Sequence, residues 1–428
     1  METLSFNLSN KRGAFKPLNA ACGAPWHKRG VVNPNRSNLR HYKEARIPYC
    51  RNHDQGFSVH YGHDISKIFR YFDADAYDPD SYDFACTDDT VLKTLEAGTE
   101  MFYRLGECIE HEIKKHFTVP PKDFKKWAVI CEHIIRHYNE GWADGFKLNI
   151  KYWEIWNEPD LGDMTWGGTK EQFFEFYITV AKHLRECFPN IKIGGPSLAW
   201  DRDFLRELLD EAKKADAPLD FFTWHVYPTS PEVVVRWADE FKEILTEKGF
   251  GNAESMLTEF NFRSDDKRFD YCQNARLGIK GAAFLMATMS LCQKASSIDM
   301  LFYYCLLPSS NWNGVFDYHT YAPKKSYYPL KWYGMFYDMD AYIPCENEIE
   351  NIYTLCGVDK DNKALCVVTY YPEYDGNPEK EISLDFGKEG SKYEIYLLDG
   401  TKDGEYIKTT DDLSFVIREN SCILIKEV

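Results

Sequence analysis

The sequence predicts an α/β chain: a (β/α)8 barrel of the TIM type over residues 13–338, and a small accessory β-sandwich built from residues 339–428 together with the N-terminal strand in residues 1–12. Three observations carry this. From about residue 15 to 338, short apolar β-type runs alternate with longer segments of helical period, the pattern of a parallel sheet with crossover helices. Eight such runs occur, and eight is the number that closes a barrel. After about residue 338 the pattern changes to short strands parted by turn signals (VDKDNKA, EYDGNPEK, LLDGTKDGE) with no long amphipathic helix, which reads as antiparallel β.

In order along the chain, the strands are expected at 17–22, 47–52, 100–105, 149–156, 191–195, 219–226, 255–260 and 299–305. The helix at 123–140 places Phe124, Trp127, Cys131, Ile134, Ile135 and Tyr138 on one face, with Gly141 as its stop. The helix at 170–188 opens on a Thr169-x-x-Gln172 capping box and ends before Pro189. The N-terminal LSFNLS is expected to pair with the tail and complete the sandwich.

With 428 residues, 44% hydrophobic and 28% charged, the chain can bury a large core. A net charge of −16, from 51 basic and 67 acidic residues, argues against nucleic acid as a partner, because no cationic surface is available to release counterions from a phosphate backbone. The first 25 residues lack the basic flank and apolar stretch of a signal peptide, and the longest near-apolar run, residues 281–292, is too short to span a bilayer. Thirteen scattered cysteines without a C-x-x-C suit buried thiols in a reducing compartment. A cytoplasmic chain with no membrane partner and no disulfide framework is expected.

In such a barrel the reacting groups project from the C-terminal strand ends. The run YWEIWNEPD, residues 152–160, ends the fourth strand. Alternation places Glu154, Trp156 and Glu158 on one side and Asn157 on the other, but the strand hands over to a loop before Pro159, so Asn157 and Glu158 both reach the mouth. SMLTEFNF, residues 255–262, ends the seventh strand with Glu259, 101 residues beyond Glu158. That is three βα units at roughly 30 or more residues each. Two carboxyls facing each other across a barrel mouth suit glycosidic bond cleavage: one protonates the leaving oxygen, and the other attacks the anomeric carbon or activates water. The negative Glu259, about 5 Å away, is expected to raise the proton affinity of Glu158. A Tyr227 hydroxyl donated to Glu259 would fix that carboxylate and keep its pKa low.

The combination of W-N-E-P on strand four, H-x-Y-P on strand six (His225, Tyr227, Pro228) and T-E-F on strand seven resembles the retaining glycoside hydrolases of clan A. Within that clan, the Glu-Ile-Trp-Asn-Glu-Pro-Asp stretch, Arg51-x-His53 on strand two and Tyr82-Asp83-Phe84 are most similar to family thirty-nine, the β-xylosidase and α-L-iduronidase family. The resemblance implies Glu158 as acid/base, Glu259 as nucleophile and Asn157 as a ligand of the sugar 2-hydroxyl, with His225 and Tyr227 beside the nucleophile. It calls for no metal and no cofactor. The chain departs from the family in FYRLGECIEH after strand three and in a long second loop beginning at His53.

In that loop His53, Asp54 and His60 are candidates to bond sugar hydroxyls; with His63 and Asp64 they match no familiar metal-ligand spacing. HEIKKH and HIIRH both miss H-E-x-x-H, and their histidines read as solvated or helix-packing. Glu154 reads as a buried ion-pair partner of Arg51 or Arg104. Of the strand-end rings Trp26, Trp166 and Trp312, Trp312 is the stacking candidate. The expected partner is an oligosaccharide or glycoside, and the expected reaction is retaining, exo-acting release of a terminal pentose, xylose or arabinose, from short plant-type glycans. Alternatives are a β-glucosidase- or β-galactosidase-type hexosidase and a non-catalytic glycan-binding barrel. Oligomeric state is open, a homo-oligomer included.

Overall fold

Eight parallel strands close into a barrel: β2 (Ala20–Cys22), β3 (Tyr49–Arg51), β4 (Glu100–Leu105), β5 (Tyr152–Ile155), β6 (Lys192–Leu198), β7 (Phe221–Val226), β8 (Glu254–Phe260) and β9 (Met300–Tyr303), with β9 pairing back onto β2. Each overlaps one of the eight expected runs. The architecture is taken from a computed structural model, which describes residues 1–26, 37–54, 62–264, 268–308 and 313–428, with the side chain of Phe269 excepted.

The N-terminal end of the barrel is plugged by inward-facing Ala20, Cys22, Phe102, Tyr152, Phe221, Met256 and Phe302. The Phe102 ring sits 4.9 Å from Phe302 and 5.3 Å from Phe221, centroid to centroid. Such layered packing makes the interior a core rather than a pore. One layer further along the strands the inward positions turn polar, with Arg51, Glu154, Ser197, Thr223 and Thr258 all fully buried.

The surrounding helices follow their sequence signals. The helix Phe124–Asn139 is capped by the Asp123 carboxylate, buries Trp127, Cys131, Ile134, Ile135 and Tyr138, and stops at Gly141 in the left-handed region (φ 82°). The helix Lys170–Cys187 opens on a complete Thr169–Gln172 capping box, with both reciprocal hydrogen bonds made. Among the described residues no helix is long and apolar enough to cross a membrane. The thirteen cysteines are free thiols, most of them buried.

The tail forms two sheets. The larger has the order β10 (Ala341–Tyr342), β11 (Ile352–Val358), β12 (Ala364–Tyr370), β17 (Ser421–Glu427), β14 (Tyr393–Leu398), β15 (Asp403–Thr410); the smaller joins β1 (Glu2–Ser5), β13 (Lys380–Asp385) and β16 (Ser414–Ile417). The N-terminal strand thus completes the sandwich, running parallel to β13. Alternation along β12 explains its unbroken apolar run: Cys366 and Val368 face the sandwich interior with Leu4, Ile382 and Ile417, whereas Leu365 and Val367 join the barrel core. At β12 both faces of the large sheet are buried, so neither needs polar positions there.

Candidate active site

The fourth barrel strand ends abruptly. Beyond Ile155, Trp156 and Glu158 both take positive φ, 74° and 48°. The left-handed turn at Trp156 breaks the strand alternation, so its indole packs outward on Trp127, Trp166 and Phe176 instead of sharing the side of Glu154. This corrects the expectation from simple alternation, and it places Trp166 in the core. Such backbone costs about 1–3 kcal/mol at a non-glycine residue and must be held from outside. Here the Glu158 N–H donates to the Ser197 carbonyl at 3.0 Å, and the Thr165 hydroxyl donates to the Glu158 carbonyl.

The seventh strand carries its own irregularity. Trp224 pairs with Leu257 but His225 pairs with Glu259, so Thr258 is an extra residue on β8. A bulge of this kind re-aims the side chains beside it. It brings Glu259 to the same mouth as Glu158, with one oxygen of each carboxyl and a ring nitrogen of His225 all within 4.8 Å of one another.

Beneath them Arg51 is the organising cation. Its Nε donates to Glu154 Oε2 at 2.6 Å, Nη1 to Glu259 Oε1 at 2.8 Å, and Nη2 to Asn157 Oδ1 at 2.7 Å and Ser197 Oγ at 3.0 Å. Ser197 in turn donates to Glu154 Oε1 at 2.6 Å. The expected ion pair of Glu154 is therefore with Arg51; Arg104 instead pairs with Asp64 at 2.8 Å. Asn157, its oxygen engaged, keeps a buried Nδ2 with no hydrogen-bond partner among the described residues.

The two carboxyls sit in unequal surroundings. Glu259 accepts from Arg51 and from the Tyr227 hydroxyl at 2.7 Å, as the sequence reading anticipated. Burial pushes Glu259 up, and His225 and the Arg51 guanidinium oppose that rise without cancelling it, so the Tyr227 bond does not keep this pKa low as expected. Glu158 meets the ring Nδ1 of His225 at 2.8 Å. Burial pushes Glu158 up to about 8, and Asp160 adds to the rise. The lift on Glu158 thus comes from burial first and Asp160 next, and the two mouth carboxyls oppose each other's ionisation. Burial also pushes His225 down to about 4 and His53 well below the ordinary imidazole value, so neither ring adds positive charge near neutral pH. One guanidinium faces Glu154, Glu158 and Glu259. Glu158, unlike Glu259, has no direct bond to Arg51, and burial favours its protonated form.

Glu158, Glu259, His225 and Tyr227 line a cavity of about 770 Å³ at the barrel mouth. His53 and Asp54 line it from the second strand end, as expected, with His53 Nε2 at 3.5 Å from Glu259 and 3.4 Å from Asp54. His60 and Trp312 lie outside the described residues. His63 and Asp64 are buried below the mouth, bonded to Asn52 and Arg104, and play a structural part. Sequence reasoning missed Tyr304, whose hydroxyl donates to Asp54, and His111, read as solvated yet lining the cavity. No local motif marks either. Two further donor clusters, His53–Asp54–Cys108 and Glu132–His183–Cys187, bring three possible metal-ligating atoms within 4.8 Å. Arg104 lies 3.2 Å from the Cys108 sulfur and Arg136 2.8 Å from Glu132, cations that oppose a metal at either place.

Comparison with known proteins agrees with this geometry. The curated β-xylosidase of Caldicellulosiruptor saccharolyticus is 28% identical over 241 residues, 53% of this chain and 46% of that protein. The chain thus spans about half the length of the curated relatives it matches. Among solved structures, a glucosidase from Croceicoccus marinus superposes with a TM-score of 0.82 at 20% identity, covering 100% of this chain and 99% of that one. A monomeric β-xylosidase from Caulobacter crescentus CB15 gives 0.73 at 15% identity, covering 100% and 99%. The family profile described as glycosyl hydrolases family 39 matches residues 26–252, more than half of the sequence. This chain belongs to glycosyl hydrolases family 39.

Proposed function

We propose that this protein is a retaining exo-glycosidase that releases a terminal pentose from a short glycan or glycoside. The observation that carries the reading is the unequal carboxyl pair: Glu158 and Glu259 approach within 4.8 Å, one braced by Arg51 and Tyr227, the other raised to about 8. Carboxyl groups about 5–5.5 Å apart leave room for a sugar but not for an additional water, which is the retaining arrangement.

In the first step Glu259 attacks the anomeric carbon as the glycosidic C–O bond breaks, and the Glu158 proton passes to the leaving oxygen. In the second, Glu158 takes a proton from water as that water attacks the anomeric carbon, and Glu259 leaves as carboxylate. His225 is neutral. With Nδ1–H donated to Glu158 Oε1 and Nε2 accepting from the Thr258 hydroxyl at 3.2 Å, it keeps the second Glu158 oxygen free for the transferable proton. The unpaired Asn157 Nδ2 is a donor for the sugar 2-hydroxyl. His53 and Asp54 close the second-strand side and supply partners for the outer hydroxyls.

The relatives named β-xylosidase favour a pentose. A panel of 4-nitrophenyl glycosides tests the reading. Release from the xyloside or arabinoside ahead of the glucoside and galactoside is the expected result. Faster release from a hexoside would replace the pentose, and no release from any member would overturn the enzyme reading.

A further inference from the structure

The wall of the cavity changes character around the barrel. Its second-, seventh- and eighth-strand side presents His53, Asp54 and Tyr304 next to Glu259. Its fourth- to sixth-strand side presents Leu161, Ala199, Val226, Pro228, Val233 and Trp237 beside Glu158, His225 and Tyr227. His225 is bonded to Glu158 and Tyr227 to Glu259, and the side chains of the other six hold a single polar atom, the indole nitrogen of Trp237. The loops that supply this side fall within residues 62–264, all of them described.

Glu158 belongs to the apolar arc. The Leu161 N–H donates to the Glu158 carbonyl at 3.0 Å. Ala199 is fixed by Asp160, whose carboxylate accepts the N–H groups of Ala199, Trp200 and Asp201 at 2.8–3.0 Å and is thereby spent on backbone. Trp237 is held by Arg202, whose guanidinium lies 3.9 Å from the ring centroid and pairs with Glu240 at 2.8 Å. Trp200, the residue after Ala199, is 55% exposed. Hydrogen bonds and a cation–π contact thus hold parts of the arc in place.

In a double displacement the leaving group departs on the side of the acid, away from the nucleophile. We propose that the leaving-group side of this cavity takes an apolar aglycone, aryl or alkyl, rather than a second sugar. A second sugar would bring hydroxyls against a wall whose side chains offer almost no partners, and polar groups left unpaired on burial cost heavily. An alkyl chain or aromatic ring removes apolar surface from water on both sides. The inference rests on the glycosidase reading above and deepens it to a substrate class.

The test uses the full chain and the sugar that the 4-nitrophenyl panel identifies. Values of kcat/KM are compared for its methyl glycoside, its n-octyl glycoside and its β-1,4-linked disaccharide; methanol and octanol are leaving groups of similar acidity. The octyl glycoside is expected to exceed the methyl glycoside by about tenfold or more, mainly through KM, and to exceed the disaccharide. Trp237→Ala should lower the octyl-to-methyl ratio, and Trp237→Phe should largely restore it. An octyl-to-methyl ratio near one, or a disaccharide that outpaces the octyl glycoside, would overturn the proposal while leaving the glycosidase intact. Hydrolysis of none of the panel would remove both.

Discussion

In the proposed mechanism Glu259 is the nucleophile and has no substitute, so Glu259→Ala is expected to abolish turnover of every glycoside. Glu158→Ala should act selectively. Substrates with poor leaving groups should lose about 10²–10⁴-fold, whereas activated aryl glycosides should still load the enzyme, and added azide should restore turnover as a glycosyl azide. The same pair dictates the pH profile. Activity requires a protonated Glu158, so kcat/KM should fall as pH rises through about 8, and an ionised Glu259, so it should also fall in acid. Asp54 raises the proton affinity of Glu158. Asp54→Asn should therefore move the alkaline limb to lower pH, and a profile with that limb unmoved or raised would contradict the assignment. Tyr227→Phe removes a hydrogen bond to a charged acceptor worth about 1.5–3 kcal/mol, roughly ten- to a hundredfold in rate, and should move the acid limb upward.

At the scale of elements, the strands hold a buried charge network that is costly to break. Arg51→Met would strand Glu154 and Glu259 without their cation, and a loss of about 3–5 kcal/mol is expected in chemical denaturation. Thr169→Ala, which removes one half of a capping box, should cost about 1 kcal/mol by the same measurement. The cap and the eight strands are legible in the sequence because period, turn residues and capping pairs act locally. The proposed catalytic pair is legible because each glutamate directly follows an apolar run. The outward Trp156 and the bulge at Thr258 are not, since a left-handed non-glycine residue and an extra strand residue are imposed by neighbouring strands and leave no mark in composition. The mouth is harder still, because Tyr304 and His111 reach the cavity from segments that follow different strands.

Across the whole molecule, barrel and sandwich share a core: the helix Ile279–Lys294 is buried almost throughout, and Leu355, Leu365, Val367 and Leu424 of the large sheet pack into the barrel cluster. A truncation ending near residue 338 would expose that apolar face, and aggregation is the expected outcome. A soluble, fully active truncation would refute the structural role of the tail. The reaction is proposed at the C-terminal mouth of the barrel, where the central claim stands on two carboxyls with fixed and different parts. The most direct test is trapping with a 2-fluoro glycoside carrying a good leaving group, followed by peptide mapping of the inactivated protein. The account predicts a covalent sugar on Glu259; a label on any other residue would contradict it.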